Sequence, residues 1–277
     1  MRLVDSHAHL QSDRFDADRA EVIDRARAGG VERILVPGWN TWSSEAALEL
    51  AERESWLDAA VGVHPHDAAK VPAIEWGTIE RWAREERVVA IGETGLDYDR
   101  VFSPIPEQLE NLRRSLALAL VTGKPAILHC RSAAGRRDAQ DALLGELRAA
   151  GFGPGGPGTT VFEGRPPAVI HSFSGPPDYA REMLALGVAI SFSGLVFRAG
   201  EGASAEVVPL VPADRLLVET DSPYLSPPGG PRGRNEPAWV RVTARWVADL
   251  RTATDDPPSE PDLVAAYDTT FTRSGRI

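Results

Sequence analysis

Short apolar runs of strand length alternate along this chain with segments of helical period, and the alternation persists almost to the C-terminal end. RLVDS is followed by a helical pattern near 16–29, ERILVPG by one near 42–54, and DAAVGVH by one near 73–86. VVAIGE leads through a loop to a long apolar-striped pattern near 106–122, and PAILH to one near 136–150. AVIHSF, GVAISFSG and RLLVET precede patterns near 176–186, 203–209 and 237–251. Eight strand–helix units in series predict an α/β protein with a TIM (β/α)8 barrel, spanning residues 1–277 as a single domain. Gly29-Gly30, Gly123 and Gly187 stand where helices should stop with positive φ. The segment 151–167, GFGPGGPGTTVFEGRPP, is too rich in Gly and Pro for regular structure and reads as a flexible insertion on the helix-to-strand side of the barrel. A last short helix is expected near 259–268, ahead of a frayed end.

Composition narrows the class. A chain of 277 residues that is 43% hydrophobic can bury one large core. The lone Cys130 rules out an internal disulfide framework, and neither a basic-plus-apolar leader nor a long apolar stretch stands in the sequence. A cytoplasmic protein without membrane association is expected, with a monomer as the simplest state. A formal net charge of −10 argues against a protein that coats nucleic acid non-specifically, although an enzyme can still grip a few phosphates locally. Lys70 and Lys124 are the only lysines; arginine, better suited to bidentate phosphate contacts, supplies the rest of the basic charge, a preference that genome composition explains as well.

The histidines carry the chemistry. All of them sit at or just past an apolar run: His7 and His9 after LVDS, His64 and His66 after AAVGV, His129 after PAIL, His171 after AVI. In a barrel the C-terminal strand ends share one mouth, so these residues converge there. His7 and His9, two apart on an extended segment, project to one side and can share a metal ion. Glu93 closes VVAIG, where a carboxylate is costly to bury unless a metal or cation receives it; its two oxygens can bridge two ions about 3.5–4 Å apart. The alternative is a structural carboxylate paired with an arginine such as Arg131. His129 and His171 end adjacent strands and, with Glu93, can hold a second ion; one of the two can instead polarise substrate. Asp221 follows strand eight, beside His7 and His9, where it can ligate and accept a proton from water, or cap the turn begun by Ser222-Pro223. His64 is expected to point into the mouth as a substrate contact, while His66 lies beyond Pro65 in an extended turn. Arg131, Arg232 and Arg234 are expected to ring the mouth as anion clamps.

With these residues assembled, the chain resembles the TatD family of metal-dependent deoxyribonucleases within the amidohydrolase-like barrels. The resembling stretches are DSHAHL at 5–10, GVHPH at 62–66, AIGETGLDY at 90–98, ILHCR at 127–131, VIHSFSG at 169–175, ISFSG at 190–194, LLVETDSPYLSP at 216–227 and RGRNEPAWV at 232–240. The insertion at 151–167, the stretched spacing from His129 to Asp138 and the ending TTFTRSGRI depart from the family pattern without touching these residues. The resemblance implies a metal site of His7, His9, Glu93, His129, His171 and Asp221, and hydrolysis of DNA phosphodiesters, often as a 3′-to-5′ exonuclease using magnesium.

The residue types alone specify a hydrolase using one or two divalent ions, with magnesium, manganese or zinc all compatible. Asp221 and Glu93 are expected as its catalytic carboxylates, and the resemblance implies single-stranded DNA or 3′ ends as the substrate. One alternative keeps the class and changes the bond to the ester of D-aminoacyl-tRNA or another ester or amide. Another is a non-catalytic metal-binding barrel, against which the retention of six convergent ligands argues.

Overall fold

The computed structural model describes residues 2–252 and 262–271. Eight strands run in sequence order in one parallel sheet: β1 Leu3–Asp5, β2 Val31–Pro37, β3 Leu57–Val61, β4 Val88–Asp97, β5 Ala126–Arg131, β6 Ala168–Ile170, β7 Ala189–Phe192 and β8 Leu216–Val218. The sheet curls back on itself, because Ser6 N donates to the Val218 carbonyl at 3.0 Å and Ala8 forms a parallel bridge with Ser222. This is the expected (β/α)8 barrel. Parallel strands covered on both faces need apolar residues on both sides, and β3, β4, β6, β7 and β8 are buried along their whole length.

The helices of the outer layer are α1 Arg19–Ala28, α2 Thr41–Arg53, α3 Ala73–Trp82, α4 Ile105–Thr122 and α5 Asp138–Ala149. After them come α6 Pro157–Phe162, α7 Pro177–Ala185, α8 Ala203–Val207, α9 Val240–Thr252 and α10 Leu263–Thr270. Gly30, Gly123 and Gly187 take the positive φ that a helix stop requires (86°, 64° and 84°), whereas Gly29 stays right-handed at −76°. The C-terminal helix begins where Asp262 accepts hydrogen bonds from Val264 N and Ala265 N; the expected residues 259–261 lie outside the described residues.

The segment 151–167 differs from the expectation of irregular, flexible chain. Pro157 occupies the first turn of α6, where its fixed φ and missing N–H suit a helix start, and Glu163, at φ 50°, ends it. Phe152 and Phe162 are both buried, their rings 6.1 Å apart, so two aromatic anchors hold a stretch that its glycines would otherwise leave loose.

On the mouth side, α2 begins with a reciprocal cap: Ser43 N donates to Asn40 Oδ1 at 3.0 Å and Asn40 N to Ser43 Oγ at 2.9 Å. Asn40→Ala removes half of it and is expected to cost about 1 kcal/mol of stability. A lower denaturant midpoint at unchanged slope would show it; an unchanged midpoint would mean that water replaces the cap.

Candidate metal centre

Strand β1 ends at Asp5 and the chain continues extended, so His7 and His9 project to one side with their Nε2 atoms 3.2 Å apart. Strand β4 carries Glu93 within its length and not at its end. Its pairing with β5 shifts register between Ile91 and Thr94, where the Gly92–Glu93 peptide is cis. The strands approach so closely that a Cβ on Gly95, at φ 132°, would stand 2.0 Å from the His129 carbonyl oxygen, so no larger residue fits there.

The buried Glu93 carboxylate divides the imidazoles into two groups. Its Oε2 lies 3.3 Å from His7 Nε2 and 3.6 Å from His9 Nε2. Its Oε1 lies 2.9 Å from His171 Nε2, 3.2 Å from His129 Nδ1 and 3.3 Å from His64 Nε2. Asp221 completes the first group, with Oδ1 3.6 Å from His9 Nε2 and 3.9 Å from His7 Nε2. The strand-end residues therefore meet in one cleft at the C-terminal mouth.

Electrostatics follow from burial and mutual proximity. Burial would raise the Glu93 carboxyl, but the charge of His171, itself held well above the usual imidazole range by Glu93 and Glu219, and a hydrogen bond from His129 outweigh it and hold the group well below the usual carboxylate range. Burial pulls His9 down to about 3 and His64 to about 4, leaving both imidazoles neutral with lone pairs available. For Asp221, burial and the charges of Glu93, Glu219 and Asp5, opposed by that of His171, push the carboxyl well above its usual range. The protein alone thus leaves the Asp221 carboxylate short of positive charge and the neutral nitrogens of His9 and His64 on either side of Glu93.

A divalent ion fits that arrangement. Two imidazole nitrogens bound to one ion at about 2.1 Å, at tetrahedral or octahedral angles, stand about 3.0–3.4 Å apart; the His7–His9 pair is at 3.2 Å. His7, His9 and Asp221 form one candidate ligand group, His7, Glu93 and His171 a second, and His64, His66 and His129 a third. Imidazole nitrogens mixed with carboxylate oxygens suit a divalent ion.

Three carboxylates escaped the reading of the sequence. Glu219 Oε1 accepts from Ser172 N at 2.8 Å and from Ser172 Oγ at 2.9 Å and lies 3.1 Å from His171 Nδ1, so it fixes which His171 nitrogen faces Glu93. Asp97 Oδ2 lies 2.6 Å from His66 Nε2 and 3.5 Å from His129 Nε2. Asp5 accepts from Thr220 N at 2.9 Å and Thr220 Oγ1 at 2.6 Å, tying β1 to the loop that carries Asp221; burial pushes its carboxyl up to about 8. Glu219 stands two residues before Asp221 in VETD, and that spacing was the available signal. Glu219→Gln is expected to weaken divalent-ion binding about 10- to 100-fold, read by titration of the apoprotein. Unaltered affinity would leave Glu219 a purely structural carboxylate.

Other expectations need correction. Arg131 does not pair with Glu93; its Nε donates to Asp99 Oδ2 at 2.7 Å. Arg234 is not a free clamp, because its guanidinium bridges Asp18 (2.6 and 2.8 Å) and Glu236 (2.9 Å) and stacks over Phe15. Arg232 is exposed and pairs with no carboxylate among the described residues. His64 stands within the ligand cluster as well as facing the mouth, and His66 lies in a 3-10 turn, Pro65–Asp67, that directs it to Asp97 in place of the expected extended turn.

A family model described as TatD related DNase matches residues 4–260. The chain belongs to that family. It is 36% identical over 252 residues to the uncharacterized metal-dependent hydrolase YabD of Bacillus subtilis (strain 168), covering 91% of this chain and 92% of that protein. It is 38% identical over 254 residues to the 3′-5′ ssDNA/RNA exonuclease TatD of Klebsiella pneumoniae (strain 342), covering 90% of each. The crystal structure of YJJV, a TatD homolog from Escherichia coli K12, superposes with a TM-score of 0.81 at 28% identity, covering 98% of each chain. As a TatD-related protein the chain is a metal-dependent hydrolase. Among the described residues no helix is long and apolar enough to cross a membrane.

Proposed function

We propose that the chain is a divalent-metal-dependent phosphodiesterase that removes nucleotides from the 3′ end of single-stranded DNA. The observation that carries this is the Glu93 carboxylate, one oxygen beside His7 and His9 and the other beside His129 and His171. Such a carboxylate suits a pair of ions flanking one phosphate. His7, His9 and Asp221 would hold one ion and His129 and His171 the other, with Glu93 shared between them. The bound ions supply positive charge to the phosphate and acidify water.

The chain's own groups do the rest. Asp221 would take the proton from attacking water. Glu219 holds His171 through Nδ1 and so fixes the ring that faces Glu93. Arg131, engaged by Asp99 through Nε, and Arg232, which pairs with no carboxylate among the described residues, are cations that would meet phosphate oxygens. The reading extends to a soluble cytoplasmic enzyme, since the lone Cys130 offers no internal disulfide.

The test is hydrolysis after chelation and readdition of magnesium, manganese or zinc, on single strands labelled at either end and on duplex. Metal-dependent release of mononucleotides from the 3′ end is expected. Inert DNA alongside metal-dependent deacylation of D-aminoacyl-tRNA would move the activity to the ester.

A further inference from the structure

Trp42, Phe102 and Tyr224 are 58%, 63% and 51% exposed, and all follow the C-terminal ends of strands: Trp42 after β2, Phe102 after β4 and Tyr224 after β8. Three large rings thus stand half or more exposed on the barrel face that carries the imidazole cluster. They are also joined to the imidazole cluster. Trp42 packs at 6.0 Å against Trp39, which meets His9 edge-on at 5.2 Å; Tyr224 meets His9 at 6.2 Å, and Phe102 meets His66 at 4.7 Å. Trp42 and Tyr224 therefore stand on the His7–His9 side of Glu93, and Phe102 on the His64–His66–His129 side.

Charge points to the same occupant. The chain carries a net −10, and several arginines beside the mouth are taken up by carboxylates: Arg131 by Asp99, Arg234 by Asp18 and Glu236, Arg137 by Asp141, Asp178 and Glu182. With these cations neutralised locally, a strand held through a few phosphates gains further affinity through its other face, the bases.

We propose that Trp42, Phe102 and Tyr224 form a nucleobase-stacking rim that grips unpaired bases on both sides of the phosphate held at the metal centre. The inference rests on the single-strand reading above and adds what recognises the strand. Stacking uses the π-face common to every base, so it selects no sequence, and it excludes duplex, whose bases are already stacked.

The experiment uses the full-length, metal-loaded enzyme and a single-stranded phosphorothioate oligonucleotide with 2-aminopurine near its 3′ end. Wild type is expected to bind it with a change in 2-aminopurine fluorescence. Trp42→Ala and Phe102→Ala should each weaken binding about fivefold or more. In hydrolysis of the ordinary strand the loss should appear in KM and not in kcat, with metal content unchanged and Trp42→Phe restoring affinity. Val121→Ala, exposed near the C-terminal end of α4 and so on the opposite face of the barrel, serves as the control and should leave affinity unchanged. A salt dependence steep enough for an extended basic interface, or unchanged affinity and fluorescence in both alanine variants while wild type still cleaves single strands, would overturn the rim and leave the nuclease standing. Concentration-dependent dimerisation abolished by Trp42→Ala without effect on strand binding would likewise overturn it, assigning the patch to a second copy. Wild type that neither binds nor cleaves any single strand would remove the nuclease reading itself, and the rim with it.

Discussion

Glu93→Gln is expected to empty the metal centre and, with it, to stop hydrolysis. The substitution keeps the shape of a buried side chain and removes its charge, which lies within 3.6 Å of a nitrogen on each of five histidines. Loss of even an outer partner of a metal ligand costs about 10- to 100-fold in ion affinity, and loss of a charged carboxylate facing both ligand groups should cost at least that. Because its two oxygens face different histidine groups, both ions should be affected, unlike a ligand that serves one group. Metal content after gel filtration, with hydrolysis measured across a titration of added manganese, decides it. Retention of a full complement of metal by Glu93→Gln would show that the histidines and Asp221 suffice and that Glu93 does not bridge.

The barrel was legible in the sequence because its signal is redundant. Eight apolar runs each precede a helical stripe, and β1–β8 lie where those runs stand. His7, His9, His129 and His171 were legible for a related reason, since a polar ring at the end of an apolar strand has few structural explanations. Contacts between distant elements were not. Asp97 lies four residues beyond Glu93 on a strand that the reading ended at Glu93, because two glycines in AIGETGLDY look like a break and instead permit the close passage of β4 along β5. Arg234 looked available because Asp18 is far away in sequence, and only the packing of the 232–235 loop beside residues 14–18 brings the two together. In 151–167, composition outweighed position: the same glycines surround Phe152 and Phe162, whose burial orders the segment.

Asp221→Asn separates ion binding from proton transfer. Asp221 has a left-handed backbone, φ 52°, a conformation that asparagine also adopts with ease, so the substitution should not disturb the loop. Its backbone contacts survive as well: Asp221 N donates to the His7 carbonyl and Tyr224 N to the Asp221 carbonyl, each at 2.9 Å. The amide oxygen can still face His7 and His9, so the first ion should remain, although more weakly held. What asparagine cannot do is accept a proton at neutral pH. Turnover should therefore fall by at least about 10²-fold, the usual scale for loss of a general base, while metal content at saturating manganese and thermal stability stay close to wild type. Partial rescue at high pH, where hydroxide replaces the missing base, should accompany the loss. Near wild-type turnover with metal verified would move the proton to another acceptor, and His64, whose Nε2 lies 3.3 Å from Glu93, would be the next group to replace.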